Sequence, residues 1–246
     1  SKWEGMFPQD TMAELRRHVE EVIAAARARL DELPEGKKSF VDEATGLVCH
    51  TTGVNTTRIG VKDVRLGYPD WLKPIIEDPR SLAVVSKYWG VKARVRRLMF
   101  EEMTPDVKLR GSEWHIDVFN DQMKVWLLVN DVGPENGPTR YKLGTHEKNH
   151  PHKILVSHNG FRYGSDWCYP GSIVTDTIPG ELAFVSGRAG DCYFFDTTGM
   201  HSRMPCREGK RLIMVLTYYI PTWRNLFFHI LKKSWAFPDK YLSQRS

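Results

Sequence analysis

Hydrophobic positions near the start of the chain recur every three or four residues, which is the spacing of an amphipathic helix. The pattern predicts a helix from Thr11 to Leu33, with Thr11 and Glu14 as a capping box and Pro34 beyond its end. A second, shorter helix is predicted from Pro79 to Gly90. The apolar face of the first helix contains Met12, Leu15, Val19, Val22, Ile23, Ala26 and Leu30.

Beyond Gly90 the helical spacing fades, and short runs rich in Val, Ile, Leu and aromatic residues follow one another. Gly, Pro and Asn separate these runs, which is typical of an all-β barrel or sandwich. The sequence predicts one mainly β domain over 1–246, with a helical support region at 1–90, a β core at 91–220 and a C-terminal segment at 221–246. The predicted strands are ARVRRLMFEE, EWHIDVF, MKVWLLVND, HKILVS, SIVTDTI, ELAFVSG, DCYFFDT and RLIMVLTYYI.

Composition narrows the class of protein. Of the 246 residues, 41% are hydrophobic and 11% aromatic, which is enough for a packed core. The net charge of +5 is dispersed apart from VKARVRR at 91–97, so we expect a small anionic partner and no nucleic acid. No apolar run is long enough to span a membrane, and no secretory signal is visible. The four scattered cysteines, Cys49, Cys168, Cys192 and Cys206, predict reduced thiols and a cytoplasmic protein.

The sequence EWHIDVF, at 113–119, contains a His-x-Asp that has two interpretations. By itself such a tripeptide is more often structural than metal-binding. On a strand, however, His115 and Asp117 would face the same side and could bind one ion. His201, in GDCYFFDTTGMHSRM, is a candidate third ligand. Two histidines and one carboxylate leave three positions open on an octahedral metal, which suits non-haem Fe(II) and dioxygen rather than structural zinc.

Arg211 opens the apolar strand RLIMVLTYY shortly after His201. A charged residue at the start of such a strand requires a partner, and a guanidinium group can hold a carboxylate through two hydrogen bonds. Arg211 is therefore predicted to bind an anionic ligand. Other arginines that could contact an anionic group are Arg97, Arg140, Arg162, Arg188 and Arg203.

The region from about Arg94 to Tyr219 resembles the phytanoyl-CoA dioxygenase family of Fe(II)/2-oxoglutarate oxygenases. The matching pieces occur in the order and at the spacing of that family. They are WHID at 114–117, NGPTR at 136–140 with LGTHE at 143–147, AGDCYFFD at 189–196, HS at 201–202 and RLIM at 211–214. The resemblance implies a double-stranded β-helix, which is a jelly-roll, cupin-like core, supported by N-terminal helices. It also implies an oxidoreductase that uses Fe(II), 2-oxoglutarate and O2.

The resemblance assigns roles to individual residues. It implies that His115, Asp117 and His201 bind Fe(II) as the catalytic centre, and that Arg211 binds the distal carboxylate of 2-oxoglutarate. Ser202 is implied as a second partner of this carboxylate, although the family often has its hydroxyl residue two positions after the histidine, where this chain has an arginine.

Two further features concern the chemistry beside the iron. Trp126 resembles an aromatic residue that flanks the co-substrate, and plain core packing is an equal alternative. Halogenating oxygenases that resemble this family replace the carboxylate ligand with a small residue. The presence of Asp117 therefore favours hydroxylation, or a related desaturation or ring formation, over halogenation.

The expected substrate is a small-molecule metabolite of the kind found in natural-product biosynthesis. The aromatic and glycine-rich segment 156–178 could form a lid over the iron site, and the C-terminal segment could cover the pocket from another side. Both segments could equally be packing or dimer surfaces. Three alternatives stay open: a non-oxidative metal or ligand sensor, a hydrolase that uses a divalent ion as a Lewis acid, and an oxygenase that acts on a macromolecule. The oligomeric state is not readable from the sequence.

Overall fold

The computed structural model of the chain describes residues 1–34, 39–42, 47–52, 56–61, 64–105, 114–115, 117, 122–147, 168–169 and 179–223. Several predicted features lie outside these residues. They are the strands HKILVS and SIVTDTI, the lid segment 156–178 apart from Cys168–Tyr169, and the C-terminal segment from 224 onward. The predictions for these segments stay predictions.

The N-terminal helix forms, but it begins before Thr11. Helix α1 spans Gln9–Asp31, and its N-cap is Pro8, whose extended backbone (φ −61°, ψ 152°) brings the carbonyl to 3.0 Å from the amide of Met12. Thr11 therefore lies inside the helix. Because no side chain caps the helix, the predicted capping box of Thr11 and Glu14 is wrong. The buried face consists of Met12, Leu15, Val19, Ile23 and Ala26.

The second predicted helix forms with local start and stop signals. Helix α3 spans Pro79–Trp89, and Asp78 caps it by accepting a hydrogen bond from the amide of Arg80 at 2.8 Å. Pro79 takes the first helical position, where an amide donor is not needed. Gly90 ends the helix at φ 66°, a left-handed conformation that favours glycine. The other helical elements are the four-residue helix α2 (Lys73–Ile76) and the 3-10 helices Val64–Leu66 and Asp70–Leu72.

Most of the remaining described chain forms short antiparallel strands. In chain order they are β1 (Lys2–Trp3), β2 (Ser39–Val41), β3 (Val48–Thr52), β4 (Thr56–Val61), β5 (Arg94–Met103), β6 (Trp114–His115), β7 (Met123–Leu128), β8 (Thr139–Lys142), β9 (Cys168–Tyr169), β10 (Leu182–Val185), β11 (Cys192–Asp196), β12 (His201–Arg203) and β13 (Arg211–Tyr219).

These strands assemble into two facing sheets. The larger has the order β1-β11-β7-β13-β5-β4-β3-β2, and the smaller has the order β10-β8-β12-β6-β9. Around the centre, neighbouring strands such as β11 and β7, β7 and β13, or β12 and β6 come from distant parts of the sequence, as in a jelly roll. The predicted fold class, mainly β with N-terminal helices and a double-stranded β-helix core, is therefore confirmed.

The centre of the larger sheet is buried on both faces, which explains why β13 is a long apolar run after Arg211. On β13 the side chains alternate. Leu212, Met214 and Leu216 pack in the cluster that contains the helices. Ile213 and Val215 pack on the inner face, between the sheets. The rest of the buried inner cluster is Trp126, Leu128, Val132, Tyr141, Val185 and Phe195.

The helical region predicted for 1–90 requires a correction, because it also contains strands. β2, β3 and β4 extend the larger sheet, and β4 pairs with β5 from Thr56 opposite Met103 to Val61 opposite Leu98. β4 is short and rich in threonine, so it lacks the apolar run that identified the later strands. For the same reason β8, β9 and β12 were not predicted as strands.

Two other sequence expectations concern the membrane and the thiols. Within the described part of the chain, no helix combines the length and the apolar character needed to cross a membrane. Cys49, Cys192 and Cys206 are buried free thiols, as predicted for these three residues.

Candidate metal centre

His115 and His201 lie side by side on neighbouring strands of the smaller sheet. The register of β6 and β12 places them directly opposite each other. Because opposed residues of an antiparallel pair share a face, their imidazole rings meet, with centroids 4.4 Å apart. This face looks toward the larger sheet, since Tyr141 and Phe195 of the inner cluster both contact the ring of His201.

Asp117 joins the two histidines from a bend after β6. It was expected on a strand, but the described strand comprises only Trp114–His115. The amide of Asp117 donates instead to the carbonyl of Thr197 at 3.1 Å, which ties this bend to the end of β11. The Asp117 carboxylate lies 3.6 Å from Nε2 of His201 and 4.0 Å from Nε2 of His115. Ligand atoms from the three residues all lie within 4.8 Å of one another.

The surroundings of His201 set the tautomer and the protonation state that a metal ligand requires. Its Nδ1 lies 3.0 Å from the carbonyl oxygen of Gly199, which can only accept, so Nδ1 carries the proton and Nε2 carries the lone pair. Burial lowers the pKa of His201 to about 4, although the nearby Asp117 acts in the opposite direction. At neutral pH Nε2 therefore presents its lone pair on the side of Asp117.

Asp117 is held in its ionised form. Burial acts most strongly and raises the pKa of its carboxyl group, but the ion pair with Lys124 and the two histidines together lower it well below its usual range. Nζ of Lys124 lies 2.8 Å from the carboxylate and comes from β7, so this ion pair links the two sheets at the centre. An ionised carboxylate and two imidazoles at these separations fit one divalent, octahedral ion.

A cavity of about 330 Å³ shares lining residues with the surroundings of the centre. Its mainly apolar lining includes Tyr141 and Phe195, whose rings contact His201, and Thr139, which contacts Arg211. The three candidate ligands are not part of this lining. A cavity of this volume lies at the lower end of the range for small-molecule sites.

Gly199 leaves no room for a side chain, and this gives a test of the centre. A Cβ atom at this position would overlap the hydroxyl group of Tyr141, which donates to the carbonyl of Asp196 at 2.9 Å. Either the Tyr141 ring or the carbonyl that orients His201 must then move. We expect Gly199→Ala to weaken divalent-metal binding about 10- to 100-fold, measured by calorimetric titration.

Gly133→Ala is the matched control, because its Cβ would meet only the Asn136 side chain at 3.5 Å. Equal metal affinity in both variants would contradict the expected role of Gly199.

Arg211 is buried at the start of β13 and is only 1% exposed. Its Nη1 donates to the carbonyl of Gly137 at 2.7 Å and to the hydroxyl of Thr139 at 3.1 Å. Its Nη2 forms an ion pair with Glu101. Nε has no hydrogen-bond partner among the described residues. Both Nη atoms of this guanidinium therefore already donate hydrogen bonds to protein groups, although the sequence predicted Arg211 as the anchor of an external anion.

A buried carboxylate that the sequence did not predict lies at the centre of an arginine cluster. Glu101 on β5 accepts hydrogen bonds from Arg58 on β4, with Oε2 at 2.7 Å from Nε and 2.6 Å from Nη2. Arg211 binds the other oxygen, and Nη1 of Arg203 on β12 lies 3.8 Å from Oε2. Burial raises the pKa of Glu101, but the three arginines lower it well below its usual range. The sequence signal that could have revealed this carboxylate is a glutamate within the predicted strand that contains RLMFEEM.

Ser202 faces away from the candidate centre. It follows His201 on β12, so its side chain points to the opposite face of the smaller sheet. There it accepts a hydrogen bond from Nε of Arg140 at 2.5 Å, and the Arg140 guanidinium stacks over Trp114, 4.7 Å from the ring centroid. This placement does not agree with Ser202 as a partner of the co-substrate. The inward position on this strand belongs to Arg203.

Trp126 lies on the inner face of β7. Its ring contacts Phe195 edge to face, with centroids 4.9 Å apart, and it packs beside Val215. Its indole Nε1 is buried without a hydrogen-bond partner among the described residues. Trp126 is therefore a core residue, as one interpretation held, and it also carries an unused donor between the sheets.

Solved structures match the chain at the level of fold, whereas no family model and no curated protein matches it. The non-haem α-ketoglutarate-dependent epimerase SnoN from nogalamycin biosynthesis matches with a TM-score of 0.56 and 21% identity, over 90% of this chain and 76% of SnoN. HygX from Streptomyces hygroscopicus, with nickel, 2-oxoglutarate and hygromycin B bound, matches at 0.56 and 19%, over 90% and 82%. EctD from S. alaskensis, with bound Fe, matches at 0.56 and 15%, over 89% and 71%.

These likenesses identify the class of fold. The chain has the jelly-roll fold found in Fe/2-oxoglutarate-dependent oxygenases, and the resemblance seen in the sequence is confirmed at this level. At identities of 15–21% the likenesses establish the fold alone.

Proposed function

We propose that this protein is an Fe(II)- and 2-oxoglutarate-dependent dioxygenase of the phytanoyl-CoA dioxygenase type, acting as one domain over 1–246. The observation that carries the proposal is the centre formed by His115, Asp117 and His201, with ligand atoms within 4.8 Å of one another on the inner face of this fold. Two imidazoles and one carboxylate on one face leave the opposite face of a metal available to other ligands.

The residues around the centre would position the reactants. Bound iron would supply dioxygen activation coupled to decarboxylation of 2-oxoglutarate, which releases succinate and CO2. The carbonyl of Gly199 keeps the His201 tautomer that binds metal, and Lys124 fixes the direction of the Asp117 carboxylate. The buried inner surface around Trp126 keeps water away from the bound co-substrate.

The inner surface has the candidate metal ligands at one end and arginines at the other, and a 2-oxo dicarboxylic acid fits both ends. His201 and Arg203 lie on the same strand and face the same side, about 6.6 Å apart by strand geometry. The metal ligands at one end suit the 2-oxo acid group, and the arginines at the other end suit a carboxylate. A short diacid could bridge the two ends.

The proposed substrate is a small molecule, and the proposed oxidation is a hydroxylation. The cavity of about 330 Å³ beside His201 supports this size class. Two structural neighbours were solved with natural products, SnoN with nogalamycin RO and HygX with hygromycin B. Because SnoN is an epimerase, inversion of a carbon centre is the second candidate outcome. Free buried thiols at Cys49, Cys192 and Cys206 support a cytoplasmic location.

The first test is an anaerobic titration of the Fe(II)-loaded protein with 2-oxoglutarate, followed by visible absorption. We expect a metal-to-ligand charge-transfer band that saturates with 2-oxoglutarate, because the 2-oxo acid would chelate the iron. The control variant His18→Gln removes a histidine on α1 and should leave the band unchanged. A folded, iron-loaded protein without this band would contradict the proposal, and a sensor or a hydrolase would become the better interpretation.

A further inference from the structure

The inner face of β12 carries a guanidinium group that lacks a hydrogen-bonded counter-ion within the described residues. Nη1 of Arg203 is buried and has no hydrogen-bond partner there. The carboxylate oxygen recorded nearest to it is Oε2 of Glu101, at 3.8 Å, which is beyond hydrogen-bond distance. The Arg203 side chain is only 17% exposed, so solvent compensates its charge incompletely.

Glu101 is already occupied by its other neighbours. One carboxylate oxygen accepts from Arg211, and the other accepts from both Nε and Nη2 of Arg58. The cluster therefore contains three guanidinium groups and one carboxylate. A buried excess of positive charge is costly unless an anion joins it.

Arg211 is the less suitable of the two inward arginines for the main contact with an external carboxylate. Its Nη1 is directed at Gly137 and Thr139, and its Nη2 is directed at Glu101. Its Nε is the nitrogen without a partner. For Arg203, by contrast, no hydrogen bond within the described residues competes with an incoming carboxylate, which could bind through two parallel hydrogen bonds.

We propose that Arg203 is the principal anchor of the distal carboxylate of the 2-oxo acid, with Nε of Arg211 as a secondary donor. In this arrangement Glu101, Arg58 and Arg211 form a fixed ion cluster that shapes the subsite. The inference rests on the proposed function, because it names the residue that selects a diacid at the same site. It differs from the sequence expectation, which gave the anchoring role to Arg211 with Ser202.

The test compares the affinities of two protein variants for two 2-oxo acids. Anaerobic Fe(II)-loaded wild type and Arg203→Gln are titrated with 2-oxoglutarate and with 2-oxopentanoate, which has the same chain length but no distal carboxylate. The charge-transfer band reports binding, so turnover is not needed. We expect Arg203→Gln to weaken 2-oxoglutarate binding about 10- to 100-fold, the range for a charge-assisted hydrogen bond, and to leave 2-oxopentanoate binding nearly unchanged.

Three further variants give this comparison its controls. Arg203→Lys retains the charge without the planar fork and should recover only part of the affinity for 2-oxoglutarate. Arg207→Gln removes the same charge from an exposed position paired with Glu135 and should bind both acids like wild type. Arg211→Gln should lose structural ion pairing and weaken both acids, with only a small additional loss for 2-oxoglutarate from the missing Nε donor.

The possible outcomes separate the inference from the proposed function. Wild-type affinity for 2-oxoglutarate in Arg203→Gln would overturn the inference, and so would an equal loss for both acids, since that marks a purely structural role. A diacid-selective loss in Arg211→Gln with none in Arg203→Gln would return the anchoring role to Arg211. A wild type without any charge-transfer band would overturn the proposed function and the inference together.

Discussion

Replacing Asp117 with alanine should weaken Fe(II) binding by more than about 100-fold and abolish any iron-dependent oxidation. Loss of a supporting hydrogen bond to a ligand already costs about 10- to 100-fold in metal affinity, so loss of the ligand itself should cost more. The carboxylate is the anionic member of the set, and it also holds Lys124 at 2.8 Å. Its removal leaves an unpaired cation beside the site, which further opposes binding of a divalent ion.

Anaerobic calorimetric titration with Fe(II) measures this effect directly, and far-UV circular dichroism checks that the variant folds. His201→Ala should behave in the same way, because it removes the ligand held by Gly199. His18→Gln provides the matched control, since His18 stacks on Trp71 away from the centre. If Asp117→Ala bound Fe(II) as tightly as the control, the ion would bind elsewhere and the assigned centre would be wrong.

Glu101→Gln should lower the free energy of unfolding by about 3–5 kcal/mol. The substitution keeps the shape of the side chain but removes the carboxylate that pairs with Arg58 and Arg211. The buried Arg211 and the partly buried Arg58 would then lie beside Arg203 without this counter-ion. Urea denaturation measures the loss of unfolding free energy.

Glu135→Gln is the control, because the partner of Glu135, Arg207, lies 3.8 Å away in an exposed pair. This control substitution should change the free energy of unfolding by less than about 0.5 kcal/mol.

The same variant should show a characteristic pH dependence. The folded-state pKa of Glu101 lies below its ordinary value of 4.5, so the unfolded chain takes up this proton at a higher pH than the folded protein. The stabilisation is therefore complete above pH 4.5 and is lost as the pH falls below it. The stability gap between wild type and Glu101→Gln should narrow on acidification. A gap of constant size would show that the charge of Glu101 is not what stabilises the cluster.

The parts of this fold that the sequence could predict are those with strong local patterns. The apolar face of α1, from Met12 to Ala26, follows helical spacing, and β13 is a long apolar run. The three candidate metal ligands could be proposed from the sequence because each has a motif around it. The start of α1 was misplaced because Pro8 positions the first turn through its backbone, and this competes with the side-chain signal of Thr11.

The arginine cluster could not be predicted because it depends on which residues face each other across strands. Glu101 and Arg58 meet because β4 and β5 pair in a register that places them opposite each other. Ser202 and Arg203 are neighbours in sequence but lie on opposite faces of β12, and only the strand assignment separates them. The resemblance offered Ser202 as a second partner of the carboxylate, whereas the alternation of the strand places Arg203 on the inner face.

The strand order also has a consequence for how the protein folds. β1 at Lys2–Trp3 pairs with β11 at Cys192–Tyr193, and His115 meets its opposed partner only when β12 at His201–Arg203 is in place. Such distant pairings make folding slow, because long loops must close before the contacts form. During synthesis the early strands cannot pair with β11 to β13 until those strands have left the ribosome. The candidate metal centre should therefore be assembled late, and an ion that binds there should bind a nearly finished fold instead of guiding its formation.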